Sequence, residues 1–253
     1  MKIFNHTCLF LISLISFNLN SQITIGETPE PAKTDTSVKS KINFKSKREK
    51  DGYTELVFSS IWNNSNRKLV ENGDLYGSPL LKRADEKSQT SWGYGFGFRS
   101  YIKKNIAFES GLSYLKNGES YKFTGADSTY TYQTTYSYIA MPLKFLYTYG
   151  ENIRFLAGGG ITPQMFVKYR QDQQWENYKH EKSNATIKST TDFNTFALSA
   201  VINCGVQLKY SPSWSIFVMP EYRWQLNSSL TKIDSYKHYA RVFSLNFGLV
   251  YQL

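Results

Sequence analysis

From residue 52 to the end of the chain, apolar and polar side chains alternate with period two in eight segments, the pattern of half-buried β-strands. The segments are 53–62, 92–102, 106–116, 138–149, 153–169, 193–210, 214–226 and 239–253. In the second, Trp92, Tyr94, Phe96 and Phe98 share one face, and Gly93, Gly95, Gly97 and Arg99 share the other. In the fourth, Ile139, Met141, Leu143, Phe145 and Tyr147 oppose Ala140, Pro142, Lys144 and Thr148. The first is assigned with Leu56, Phe58 and Trp62 on the apolar face, which turns Glu55 to the polar one.

The connections alternate as strictly. They are short at 103–105, 150–152 and 211–213, and long and polar at 63–91, 117–137, 170–192 and 227–238. Eight segments joined this way predict an all-β fold: an eight-stranded antiparallel up-and-down transmembrane β-barrel, with short periplasmic turns and longer extracellular loops. A soluble barrel would also alternate, but it would hold its bulky apolar side chains inside and point charges to water. Here the polar face is rich in Gly, Ser and Ala with few charges, so the apolar face is assigned to lipid. Trp92, Tyr149, Tyr210, Trp214 and Tyr251 fall near strand ends and are the expected aromatic girdle. The inward charges Glu55, Arg99, Glu109, Lys144, Arg154, Glu221 and Arg223 have both signs, and buried charges must be paired or hydrogen-bonded. Eight strands leave a lumen that side chains fill. A plugged interior is therefore expected, and a general diffusion porin is not.

Ahead of the barrel, Met1-Lys2 precedes a short apolar run over 8–17 and a polar stretch ending at Ser21. This reads as a signal peptide over residues 1–21, cleaved after Ser21; the apolar run is too short to span a bilayer as a helix. Cys8 opens that run instead of standing at the cleavage site, so lipidation is not expected. Residues 22–51 hold Pro29, Pro31 and a charged run over 45–50 with few large apolar residues. They predict a flexible, charged periplasmic segment, followed by the barrel over 52–253.

Composition narrows the function classes. Phe, Tyr and Trp make up 16% of the 253 residues, and such rings suit pleated surfaces and membrane interfaces. The net charge of +10 suits nucleic acid or an anionic lipid or polysaccharide surface. With a barrel, the expected partners are outer-membrane lipid and lipopolysaccharide, and nucleic acid is not one. Removal of the leader leaves Cys204 alone, which excludes an intrachain disulfide and a multi-cysteine zinc site in the mature chain. The histidines are His6, His180 and His238, without metal-ligand spacing; no metal and no cofactor is expected. His180 and His238 near Asp192 and Asp234 would be the place for acid–base chemistry. Solvated loop histidines are the simpler reading, and no enzyme is expected. The glycines at 158–160 lie within a strand and lack the following helix of a phosphate loop. Tyr169, Arg170, Trp175, Tyr178 and Lys179 interleave rings and cations as a glycan-binding surface would, although an ordinary exposed loop has the same look.

Three stretches carry a family resemblance. YIAMPLKFLYTYG (138–150) resembles the fourth-strand Y-x-x-x-P-L-x-x-x-Y pattern of PorT-like, OmpX-like outer-membrane β-barrel proteins. IRFLAGGG (153–160) is similar to their next strand, and RVFSLNFGLVYQL (241–253) to their closing strand. The aromatic strand running to the last residue also resembles the C-terminal strand read by barrel-assembly machinery. The resemblance spans about residues 52–253 and implies an eight-stranded barrel in a bacterial outer membrane. It implies no single activity, and in one branch it implies support of protein export by the type IX secretion system. Three functions are carried forward: a structural or interaction barrel, which is the expected one, an accessory to a secretion or envelope partner, and a small-solute transporter.

Overall fold

A computed structural model describes residues 52–71, 86–191, 193–231 and 236–253. The predicted leader (1–21) and charged segment (22–51) lie outside the described residues, as do Asp192 and Asp234. The strands are β1 (Thr54–Glu71), β2 (Lys87–Lys103), β3 (Ile106–Thr124), β4 (Ser128–Ala140), β5 (Leu143–Tyr149), β6 (Ile153–Asn177), β7 (Lys182–Ser189), β8 (Phe196–Lys209), β9 (Trp214–Gln225) and β10 (Tyr236–Gln252).

Every pairing is antiparallel and the ladder closes on itself. β4 and β5 follow one another along the same two neighbours, β3 and β6. They form one stave interrupted at Pro142, which has no N–H to give the ladder. Likewise β7 and β8 share β6 as a neighbour. The ten strands are therefore eight staves of an antiparallel up-and-down barrel.

The barrel is apolar outside and polar inside. Tyr94, Leu112 and Phe145 on the outer face are 62%, 61% and 61% exposed, whereas Glu55 and Arg99 on the inner face are 0% exposed. Burial alternates residue by residue along β5 and β9, and β1 takes the register that puts Glu55 inside. A surface of this kind matches hydrocarbon, and ring closure satisfies the backbone groups that lipid cannot. The fold is that of a transmembrane β-barrel. At the short-turn end, neighbouring turns and strands are tied by Thr148 N–H donating to the Asn105 carbonyl, and Lys209 N–H to the Asn152 carbonyl, both at 2.8 Å. Gly150 turns one corner with φ of 104°; a Cβ there would collide with the Ile153 carbonyl oxygen.

The predicted long loops need correction. Residues 117–137 are mostly a hairpin of β3 and β4 closed around 125–127, and 170–192 contain the upper part of β6 paired with β7. β1 runs on to Glu71 and β10 starts at Tyr236, still in register with each other. β6 alone has 25 residues, where a bilayer needs about 9–11. Beyond the membrane neither face of a strand meets lipid. The apolar–polar contrast fades there while the backbone pairing continues.

The lipid face makes a depth-dependent prediction. Phe145 lies mid-span and Tyr149 at the short-turn end of the same stave. Phe145→Arg should cost about 2–4 kcal/mol and Tyr149→Arg about 0–1 kcal/mol, measured by urea unfolding from liposomes. Equal costs would contradict the assigned band.

Candidate functional site

The strand register assembles the main inward site. Glu55 lies opposite Arg99, Arg99 opposite Glu109, and Glu109 opposite Lys144, so four charges of alternating sign are cross-strand partners on successive staves. Opposite charges abreast are a favourable ladder pair. Arg154 from β6, with Glu221 and Arg223 from β9, complete the group.

The contacts join all seven charges in one chain. Arg154 Nη1 is 3.3 Å from Glu55, Glu55 is 3.4 Å from Arg99, and Arg99 Nη2 is 2.6 Å from Glu109. Glu109 is 2.7 Å from Lys144 Nζ, which lies 3.3 Å from Glu221, and Glu221 is 3.2 Å from Arg223 Nε. All seven residues are buried. Polar neighbours add hydrogen bonds: Arg99 donates to Gln207 Oε1 at 2.8 Å, and Arg223 to Asn63 Oδ1 at 2.7 Å and Ser244 Oγ at 3.0 Å. Glycines 95, 97 and 111 line the same space as Glu109 and Lys144, beside a cavity of about 50 Å³, room for a few waters at most.

Apolar groups pack around the chain. Tyr101, Ala107 and Leu146 cluster with Tyr53 at the short-turn end, and the Tyr53 and Tyr101 rings stack 4.2 Å apart. Arg154 donates to the Tyr101 hydroxyl. Val57, Leu156, Phe217, Met219 and Val250 form a second cluster. The two clusters and the charges share the inner face of the barrel.

The proposed girdle residues fall at both rims. Tyr149, Tyr210, Trp214 and Tyr251 are at the short-turn end, where Trp214 and Tyr251 lie 4.9 Å apart. Trp92 is at the opposite rim, abreast of Trp62. His180 sits exposed at the β6–β7 turn, 2.9 Å from Glu176. His238 is buried inside the mouth, with its ring 4.9 Å from that of Tyr136. Among the described residues no group of three His, Cys, Asp or Glu is placed to hold a metal ion.

A second inward cluster lies outside the eight alternating segments. Above the membrane-spanning part, Arg67 forms an ion pair with Glu86 and approaches Glu119 to 3.2 Å. Tyr132 donates to Glu86, and Tyr136 donates to Glu119 at 3.2 Å. These residues lie in stretches that read as polar loops. The signal that could have found them is the alternation of Tyr130, Tyr132, Tyr136 and Tyr138, which places their rings on one face. Burial pushes the Glu119 carboxyl up to about 7, and the neighbouring Glu86 charge adds to the rise while Arg67 opposes it.

A closed ring of eight staves, apolar outside and charged within, defines a β-barrel protein of the outer-membrane type. No protein family and no curated relative matches the chain. Among solved structures, the chain is similar to the outer membrane protein AlkL in lipid bilayers (14% identity, 90% of this chain and 97% of that one, TM-score 0.42). It is also similar to OprG of Pseudomonas aeruginosa (8% identity, 81% and 98%, TM-score 0.41) and to Neisserial surface protein A (10% identity, 79% and 97%, TM-score 0.40).

Glu119 carries a pH prediction. Between 4.5 and about 7 the folded protein keeps a proton there that the unfolded chain has lost. Its contribution to stability is therefore full below that window and declines as pH rises through it. Relative to Glu119→Gln, the wild-type barrel should lose urea resistance from pH 5 to pH 8. A flat or opposite difference between the two proteins would contradict the assignment.

Proposed function

We propose that this protein is an integral barrel of a bacterial outer membrane with a plugged lumen, acting as a structural and interaction protein through its extracellular loops or its periplasmic N-terminal segment. The observation that carries the reading is the continuous chain of seven buried charges inside a ring of eight staves. An aqueous pore would keep such charges hydrated; here their partners are one another and nearby amides and hydroxyls. The reading as a non-enzymatic barrel is supported by the two histidines, one at a hairpin tip and one buried in the mouth. The outward apolar face of β10, with Phe243 and Leu249, fits recognition by barrel-assembly machinery.

The resemblance of residues 138–150 to the PorT-like pattern supports a second reading, an accessory to a type IX-like secretion system. In this barrel that segment has a structural part. Pro142 falls where the stave is interrupted, and Lys144 joins two carboxylates. The pattern therefore bears on the fold more directly than on an activity, and the interaction barrel remains the leading reading.

Conduction separates these readings from a transporter. Purified barrel in planar bilayers should give no long-lived open channel, because eight staves leave only a side-chain-filled interior. Sustained conductance of porin size would make the transporter the leading function, with the seven lumen charges setting its selectivity.

A further inference from the structure

The wall above the apolar band carries a feature that plugging the lumen does not use. A groove of about 680 Å³ crosses β2, β3, β4, β6 and β7. Its lining is hydroxyl, amide and charged. Gln133, Asp172 and Thr186 stand abreast on three neighbouring strands, and Thr131, Gln174 and Asn184 stand abreast two residues further up. Lys87 and Lys122 add cations from β2 and β3.

One step below, toward the membrane, the ladder sets like charges against each other. Arg170 of β6 is directly opposite Lys188 of β7, and Lys168 is two residues earlier on the same face of β6. All three are exposed. Like charges abreast destabilise a strand pair. The carboxylate beside them is Asp172, which accepts from Arg170 Nε at 2.8 and 3.1 Å and from Thr186 Oγ1 at 2.7 Å. These bonds hold the Asp172 carboxyl below its usual range and fix the guanidinium at the edge of the groove. Three cations then face one carboxylate. The level of this patch is set by Met165, Val167 and Phe196 on the outer surface just beneath.

We propose that the groove and its cationic step seat the phosphorylated saccharide headgroup of an outer-leaflet glycolipid. The phosphate sits between Arg170 and Lys188, and the sugar hydroxyls meet the amides and hydroxyls of the groove. Three observations converge on this ligand: a like-charge pair that an anion relieves, a polar groove continuous with it, and a position where the apolar band ends and headgroups begin. The assignment rests on the outer-membrane reading.

The test uses the full chain folded into zwitterionic vesicles containing lipopolysaccharide, either phosphorylated or enzymatically dephosphorylated. The wild type should retain the phosphorylated form by about tenfold or more over the other, the scale of one charge-assisted hydrogen bond. Arg170→Gln/Lys188→Gln, with unchanged heat-modifiable mobility, should lose that preference, and millimolar inorganic phosphate should not restore or compete with it. Equal retention of both forms by the wild type, or an undiminished preference in the double variant, would overturn the site. Competition by inorganic phosphate would make it a free-anion site and overturn the lipid assignment. Failure of the wild type to insert into vesicles in a heat-modifiable form would instead strike the outer-membrane reading, and the site would fall with it.

Discussion

Hydrocarbon offers no hydrogen-bond partner to a peptide group, and this constraint organises the molecule. A sheet in that medium must close, and closure here requires the pairing of β1 with β10 as much as any other. Closing at eight staves fixes a narrow interior. Whatever the inner face carries must then fit together within that narrow interior. The paired charges, the inward glycines and the apolar clusters are three consequences of that one geometry.

The charge chain follows from register before it follows from side-chain reach. Glu55, Arg99, Glu109 and Lys144 are successive cross-strand partners, so a shift of one residue in any of those pairings would turn one of them toward lipid. Arg154, Glu221 and Arg223 then link this half-ring to the far wall. A buried ion pair is weak evidence of net stability, since desolvation offsets much of the attraction, but breaking one leaves a bare charge and is costly. The chain is therefore best understood as what fixes one register. The Arg67–Glu86–Glu119 group has a different balance, with two carboxylates for one guanidinium, and is correspondingly sensitive to protons.

The membrane-spanning half was legible because lipid and lumen impose opposite demands on alternate residues. Trp92 to Arg99 is the clearest case, with four rings facing out against three glycines and an arginine facing in. The seven lumen charges could be named from that contrast, but their order of contact could not, because it depends on cross-strand register and on reach across the lumen. The hairpins above the membrane have the sequence pattern of loops. In 128–137 the tyrosines do alternate, but the residues between them are polar and no lipid-facing apolar set marks the other face. The split of one stave at Pro142 was invisible because the alternation runs through it unbroken from Ile139 to Tyr147. Arg67, Glu86 and Glu119 are brought together by pairings between segments that the sequence marks only as polar.

The most direct test of the account is a double-mutant cycle on the end of the chain, read by urea unfolding from liposomes. Glu55→Ala leaves Arg99 and Arg154 without their shared carboxylate and should cost about 3–5 kcal/mol. Adding Arg154→Ala removes one of the stranded cations, so the double variant should cost clearly less than the sum of the two single variants. Strictly additive costs, or a Glu55→Ala barrel as stable as the wild type, would contradict a lumen held together by linked charges.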